Sequence, residues 1–154
     1  MSPAALTVRV VDVYLYREQS DTVEFLLLRR APDVTYARQW RMVGGKIQPG
    51  EAAWQTALRE VQEETGHALP NLWTVPSVNL FYEASADRVN VIPAFAASLP
   101  GDPTLNHEHD AFAWLSPADA IPCLRWPEQR RLLRLTAELL REGVLSEWWV
   151  APLS

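Results

Sequence analysis

The chain has 154 residues, 48% of them hydrophobic and 21% charged, the balance of a globular protein long enough to bury a core without staples. A formal net charge of −5 excludes a general polynucleotide binder, whose affinity comes from Lys and Arg neutralising backbone phosphates, while leaving room for a small anion held by local positive charge. Cys123 is the only cysteine, so no intramolecular disulfide can form, and no run of about 18 apolar residues marks a membrane span.

Residues 7–16 (TVRVVDVYLY) are rich in β-branched and aromatic side chains and predict a strand, with 23–30 (VEFLLLRR) as its partner across a turn at Ser20 and Asp21. Residues 31–36, with Pro32 and Asp33, predict a loop leading to a short extended segment at 40–43. The stretch 44–50 (GGKIQPG) reads as a strand end and loop, its glycines and proline too dense for a regular element throughout. From 52 to 64 there is neither Gly nor Pro, and Gly66 stands where a helix would stop. Pro70 and Asn71 break the chain before strands at 72–75, 77–83 and 88–97, the last two joined by a hairpin turn at 85–87. Residues 99–110 (LPGDPTLNHEHD) form a loop before a final strand at 111–115. A short helix begins at Ser116 and Pro117. A second long helix runs from 127 to 142, burying Leu132, Leu133, Leu135, Leu139 and Leu140 and stopping at Gly143. Cys123, between Pro122 and Leu124, reads as a small buried apolar residue. Trp148 and Trp149 in the tail either fold back onto the domain or cover a partner chain in a homodimer. Without repeats, linkers or low-complexity tracts, residues 1–154 predict one mixed α/β domain. The N-terminus lacks a basic segment followed by a long apolar run, so the expected location is cytoplasmic.

On the 52–64 helix, Trp54, Ala57, Leu58, Val61 and Thr65 form the stripe that would lie on a sheet. Glu60, Glu63 and Glu64 fall on the adjacent face at i,i+3 and i,i+4 spacing, where like charges destabilise an isolated helix. Either the face is simply solvated or a hard divalent cation compensates it, since carboxylate oxygens suit Mg²⁺ or Mn²⁺.

Gly45, Glu51, Arg59, Glu60, Glu63, Glu64 and Gly66 stand at the spacing G-x5-E-x7-R-E-V-x-E-E-x-G. This run resembles the signature of the Nudix hydrolase superfamily at every fixed position but the last, where His67 replaces an aliphatic residue. The resemblance implies an α/β/α sandwich around a mixed sheet, the signature forming loop, helix and loop. It also implies metal-dependent cleavage of a phosphoric anhydride in a nucleoside diphosphate linked to a further group, with Mg²⁺ or Mn²⁺ on Glu60, Glu63, Glu64 and the carbonyl of Gly44. Glu60 can serve as base in such proteins; others use a glutamate from a distant loop, for which Glu108 is the candidate. Arg59 would hold the acidic side chains, and Glu51 would either bind metal or pair with Arg59.

Residues 29–46 carry Arg29, Arg30, Arg38, Arg41 and Lys46 against only Asp33, a local excess that either is solvated or holds outer phosphates, with Arg29, Arg38 and Lys46 the leading candidates. Trp40, Phe81 and Tyr82 are candidates for stacking on a base or pterin, or else core residues. Strand alternation over His107, Glu108 and His109 would send Glu108 to the face opposite both histidines, which read as substrate-facing or surface residues. The pattern E-H-x4-W-L from Glu108 to Leu115 resembles superfamily members that cleave dATP-like or dihydroneopterin triphosphates. A nucleoside triphosphate is thus the leading substrate. Nucleotide sugars, dinucleoside polyphosphates, oxidised nucleotides and a noncatalytic nucleotide-binding regulatory module are the alternatives.

Overall fold

The computed structural model describes residues 2–148 and Val150. Along the chain these form β1 (Ala5–Thr7), β2 (Val10–Gln19), β3 (Thr22–Arg30), β4 (Trp40–Arg41), β5 (Val43–Lys46), α1 (Ala53–Thr65), β6 (Trp73–Glu83), β7 (Arg88–Ser98), β8 (His109–Leu115), α2 (Pro117–Cys123) and α3 (Pro127–Glu142). The strands make one mixed sheet. β2 lies at its centre, parallel to β7 and antiparallel to β3 and β5, while β7 also pairs with β1 and β6, and β3 with β4 and β8.

Two strands differ from the sequence expectation. The 7–16 run is divided: β1 pairs with β7 at Arg88–Asn90, and the chain crosses at Val8 and Arg9 before β2 pairs further along β7. The segments expected at 72–75 and 77–83 are instead one strand, β6, whose register shifts between Thr74 and Val78. Pro76 lies in that stretch, and its missing N–H interrupts the ladder without ending the strand. The expected turn at 85–87 is a 3₁₀ turn over Ala84–Ala86, closed by Asp87 at φ 47°.

Alternation in the strands divides the interior into two layers. Val11, Val13 and Leu15 of β2 join Leu26, Leu28, Val43 and Phe95 under α1, where Ala57 and Val61 are fully buried and Trp54 and Leu58 pack at the margin. Tyr14 and Tyr16 face the other way, with Phe25, Leu27, Met42 and Ala96, under α2 and α3. The observed architecture is therefore a mixed sheet between helical layers. Both long helices stop at glycines in the left-handed region, Gly66 at φ 78° and Gly143 at φ 73°. In α3, Leu132 and Leu133 are buried, while Leu135, Leu139 and Leu140 are partly so. Cys123 is exposed, contrary to expectation, because the last turn of α2 turns it outward.

The described part of the tail folds back. Leu145 is buried in the α3 layer, Val150 in the α1 layer, and the Val150 N–H donates to the Leu72 carbonyl at 3.0 Å. Trp148 is 44% exposed, and Trp149 lies outside the described residues. Among the described residues no helix is long and apolar enough to cross a membrane.

Leu133→Ala should destabilise the protein by about 2–5 kcal/mol, the range for emptying a fully packed leucine site. Trp148→Ala should stay within about 1 kcal/mol. Urea unfolding followed by circular dichroism measures both.

Candidate active site

The loop before α1 is fixed by a single guanidinium. Arg59 Nε donates to Glu51 Oε2 at 2.8 Å and Nη2 to Glu51 Oε1 at 2.9 Å, a bidentate pair that also receives the Thr56 hydroxyl at 2.6 Å and the Gln48 N–H at 3.1 Å. Arg59 also donates to Glu60 at 2.9 Å, to Glu63 at 3.3 Å and to the Lys46 carbonyl at 3.0 Å. These bonds hold the Glu51 carboxyl down at about 2, with Arg59 the main cause, and push Arg59 upward. Glu51 sits before the helix, whose N-cap is Ala52, so its role is this pair rather than a place in the first turn. At the other end of α1, His67 Nε2 meets the Asp102 carbonyl at 2.8 Å, so a polar contact stands where the signature has an apolar residue.

The three glutamates of the helix have different surroundings. The Glu63 side chain is 51% exposed and lies against Arg59. Glu60 is nearly buried, with its carboxylate lodged beside Gly45, where an added Cβ would overlap it. Glu64 is 2% exposed and accepts the Gly44 N–H at 3.3 Å. Burial raises both Glu60 and Glu64, and mutual repulsion with Glu108 raises them further.

Glu108 reaches this group because its loop is pinned to the end of α1. The Thr104 N–H donates to the Thr65 carbonyl at 2.8 Å, and Asn106 Nδ2 to the Glu63 carbonyl at 3.1 Å. Asn106 Oδ1 then accepts the Glu108 N–H at 3.0 Å, and the Glu108 carboxylate stands 3.7 Å from Arg30. Only His109 belongs to β8; Glu108 precedes it in the loop, so strand alternation does not separate them. His107 is exposed, but His109 is buried rather than superficial, with Nε2 3.5 Å from Glu64 Oε1 and Nδ1 without a hydrogen-bond partner. Burial holds the His109 imidazole down at about 4, so at neutral pH it is uncharged and its contact with Glu64 is not an ion pair.

A cleft of about 700 Å³ opens beside these residues. Its floor takes residues of neighbouring strands, among them Asp12, Gly44, Gly45, Lys46, Asn79, Phe81 and Asn90. Tyr36 and Trp126 form an aromatic wall, their rings 6.1 Å apart edge to face, with Phe81 5.9 Å from Trp126 and Arg41 4.3 Å over Tyr36. Arg9, Arg30, Arg41, Lys46 and Arg88 supply positive charge.

Of the substrate candidates, Lys46 and Phe81 line the cleft, whereas Arg29, Arg38, Trp40 and Tyr82 do not. Arg29 is turned to Asp110 at 2.8 Å, and Arg38 lies in a turn at φ 64°. Trp40 packs at the margin of the α3 layer, and Tyr82 is 56% exposed, donating to Asp87 at 2.7 Å. Arg30 and Arg41, the members of the cation cluster ranked behind Arg29 and Arg38, line the cleft, and Tyr36 and Trp126 are among the lining residues that sequence reasoning passed over. The cation excess over residues 29–46 was the available signal for the arginines, and nothing local in the sequence links Tyr36 to Trp126.

A sequence model of the NUDIX domain matches residues 6–137. An asymmetrical bis(5′-nucleosyl)-tetraphosphatase of Caenorhabditis elegans is 32% identical over 133 residues, covering 84% of this chain and 94% of that protein. A CTP pyrophosphohydrolase of Escherichia coli is 32% identical over 102 residues, covering 64% of this chain and 70% of that protein. A crystal structure of a C. elegans Ap4A hydrolase binary complex matches with a TM-score of 0.72 at 26% identity, over 86% of this chain and 97% of that one. The sandwich with carboxylates gathered at one end of its sheet is thus that of an enzyme acting on phosphoric anhydrides. The chain belongs to the Nudix hydrolase family.

Nudix hydrolases use divalent metals, and the residues here fit one. Glu64, Glu108 and His109 bring ligand atoms within 4.8 Å of one another, close to the span of about 4–4.6 Å across an ion with ligands at roughly 2.0–2.3 Å. Arg59 and Arg30 offset the charge of Glu60, Glu63 and Glu108 in part, but among the described residues no Lys or Arg lies within ion-pair distance of Glu64, where a cation would supply the missing charge.

Gly45→Ala should displace the Glu60 carboxylate and lower kcat by about tenfold or more, since misplacing a reacting group by about 1 Å can cost 10²-fold. Steady-state kinetics with a melting curve separates this from unfolding. Glu64→Gln should raise Tm in EDTA. A carboxyl raised by burial contributes stability below its ordinary value of 4.5, lost as pH rises through its folded value. The difference from wild type should therefore be largest near pH 8, a few degrees, and shrink toward pH 5. A constant difference would mean that Glu64 ionises without penalty.

Proposed function

We propose that this chain is one Nudix domain acting as a pyrophosphohydrolase of nucleoside triphosphates, releasing the monophosphate and pyrophosphate with Mg²⁺ or Mn²⁺. One observation carries the reading: a single cleft has an aromatic wall at Tyr36, Phe81 and Trp126 and, beside it, the buried carboxyls at Glu64 and its neighbours. A base against the rings would extend its phosphates past Arg41, Arg30 and Lys46 toward the acids. The lone cysteine suits a reducing cytoplasm.

Glu64, Glu108 and His109 would hold the metal, their ligand atoms already lying together, with Glu60, Glu63 and the Gly44 carbonyl as the further donors that the signature implies. A bound divalent cation supplies charge neutralisation at the phosphate oxygens and acidifies water. The chain's own groups do the rest. Lys46 and Arg30 bind and orient the phosphates, leaving one bridging P–O bond in line with the attacking water. Water adds to phosphorus as that bond breaks, its proton passing to a carboxylate and the electron pair leaving with the departing phosphate. Glu60 and Glu108 are the two candidate acceptors. Arg59 is a positioning residue, fixing Glu60 through its hydrogen bond.

The base is assigned by comparing Glu60→Gln with Glu108→Gln at saturating Mg²⁺. Loss of the true base should lower kcat by about 10²–10⁴ and persist at saturating metal, whereas loss of a ligand should be partly rescued by more metal. Losses under tenfold in both would remove each as sole base.

A second reading, cleavage of a dinucleoside tetraphosphate, is favoured by the C. elegans relative, matched over 94% of its length. Chromatography of products decides. The first reading expects monophosphate and pyrophosphate from a nucleoside triphosphate, the second ATP and AMP from diadenosine tetraphosphate. Either turnover should vanish in EDTA and return with Mg²⁺ or Mn²⁺; full turnover without metal would overturn the mechanism.

A further inference from the structure

Asp12 and Asn79 are each 6% exposed, yet both line the cleft. They come from β2 and β6, on the same face of the sheet as Phe81, which follows Asn79 by two residues. Asn79 Nδ2 donates to Asp12 Oδ2 at 3.3 Å. Gln129 and Arg41 also face the Asp12 carboxyl, though no cation lies within ion-pair distance of it among the described residues. The other polar residues of this floor are engaged elsewhere: Glu83 takes Arg88 at 2.7 Å and Asn90 at 3.0 Å. An acid sunk in the sheet beneath an open cleft carries a desolvation cost that packing alone does not explain.

We propose that Asp12 and Asn79 form the floor that reads the amino-bearing edge of a purine base lying against Phe81 and Trp126; this rests on the nucleotide reading above. With Asn79 and Gln129 both donating to it, the Asp12 carboxylate still has lone pairs to spare and Asn79 keeps its carbonyl, so the floor offers mainly acceptors with a single Asn79 N–H remaining. An exocyclic amine donates to such a floor. A base without that amine leaves buried acceptors unpaired, which is the costly outcome. The pair therefore selects the base, while phosphates and carboxylates are handled at the other end of the cleft.

The test uses two pairs of ligands that differ by one amino group: AMP against purine riboside 5′-monophosphate, and GMP against IMP, titrated calorimetrically into the full chain. In at least one pair the amino member should bind about tenfold or more tightly. Asp12→Asn should bring that pair to within about twofold by weakening the amino member alone. Should Asp12→Asn fail to fold by melting curve, Asn79→Ala reads the same ratio. Both pairs within about twofold in wild type, or a ratio intact in the folded variant, would overturn the proposal. Turnover of the triphosphates is followed separately. Discrimination without turnover removes the pyrophosphohydrolase reading and leaves the base-reading floor standing; turnover without discrimination does the reverse.

Discussion

Arg59 is the interaction on which the end of the sheet depends. Its fork closes on Glu51 at the end of the loop and on the Lys46 carbonyl at its start, while Nη1 takes Glu60 and Glu63. One cation thereby fixes a loop that has no regular backbone ladder and offsets part of the repulsion along α1. The geometry needs a planar, permanently charged donor, and lysine, with a single rotating ammonium, could not reach the same set together. Because Glu60 is held from one side by Arg59 and from the other by the absent side chain of Gly45, its position follows from the loop.

The buried acids make this end of the molecule locally unfavourable in the absence of a cation. Burial and mutual repulsion raise Glu60 and Glu64, and the neutral His109 adds no countercharge. Such an arrangement persists because the surrounding structure over-determines it. Two layers of aliphatic packing hold the strands, Asn106 and Thr104 pin the distant loop to α1, and each side chain is left little freedom to move apart.

Much of the framework was legible in the sequence. The α3 limits fall at Pro127 and Glu142 as the Pro start and Gly stop imply, and α1 begins and ends within one residue of the expected 52–64. The acids of α1 were legible through their spacing, although periodicity placed Glu60, Glu63 and Glu64 on one face and missed their separation into two buried groups and one exposed. The cleft was read less well because strand side is decided by single-residue parity. Arg29 and Arg30 are adjacent, and the one chosen from sequence is the one that turns to Asp110; Phe81 and Tyr82 divide in the same way. Tyr36 and Trp126 lie far apart in sequence, and only tertiary packing brings their rings together. His109 lines the cleft, as a substrate-facing residue would, but it is buried, and the alternation assumed from His107 begins two residues before the strand does.

The pair Gly44 and Gly45 makes the sheet thin at one spot. With one glycine bare toward Asp12 and the next bare toward Glu60, neither face carries a side chain there. Acids borne by the helix on one side thus come within reach of a ligand resting mainly on the other. The molecule is consequently modular across its own thickness. Residues of β6, β7 and the α3 entry can drift, remodelling which molecule is admitted, without any compensating change in the helix that carries out the cleavage. A lineage built on this plan can diversify its diet while keeping one set of scissors.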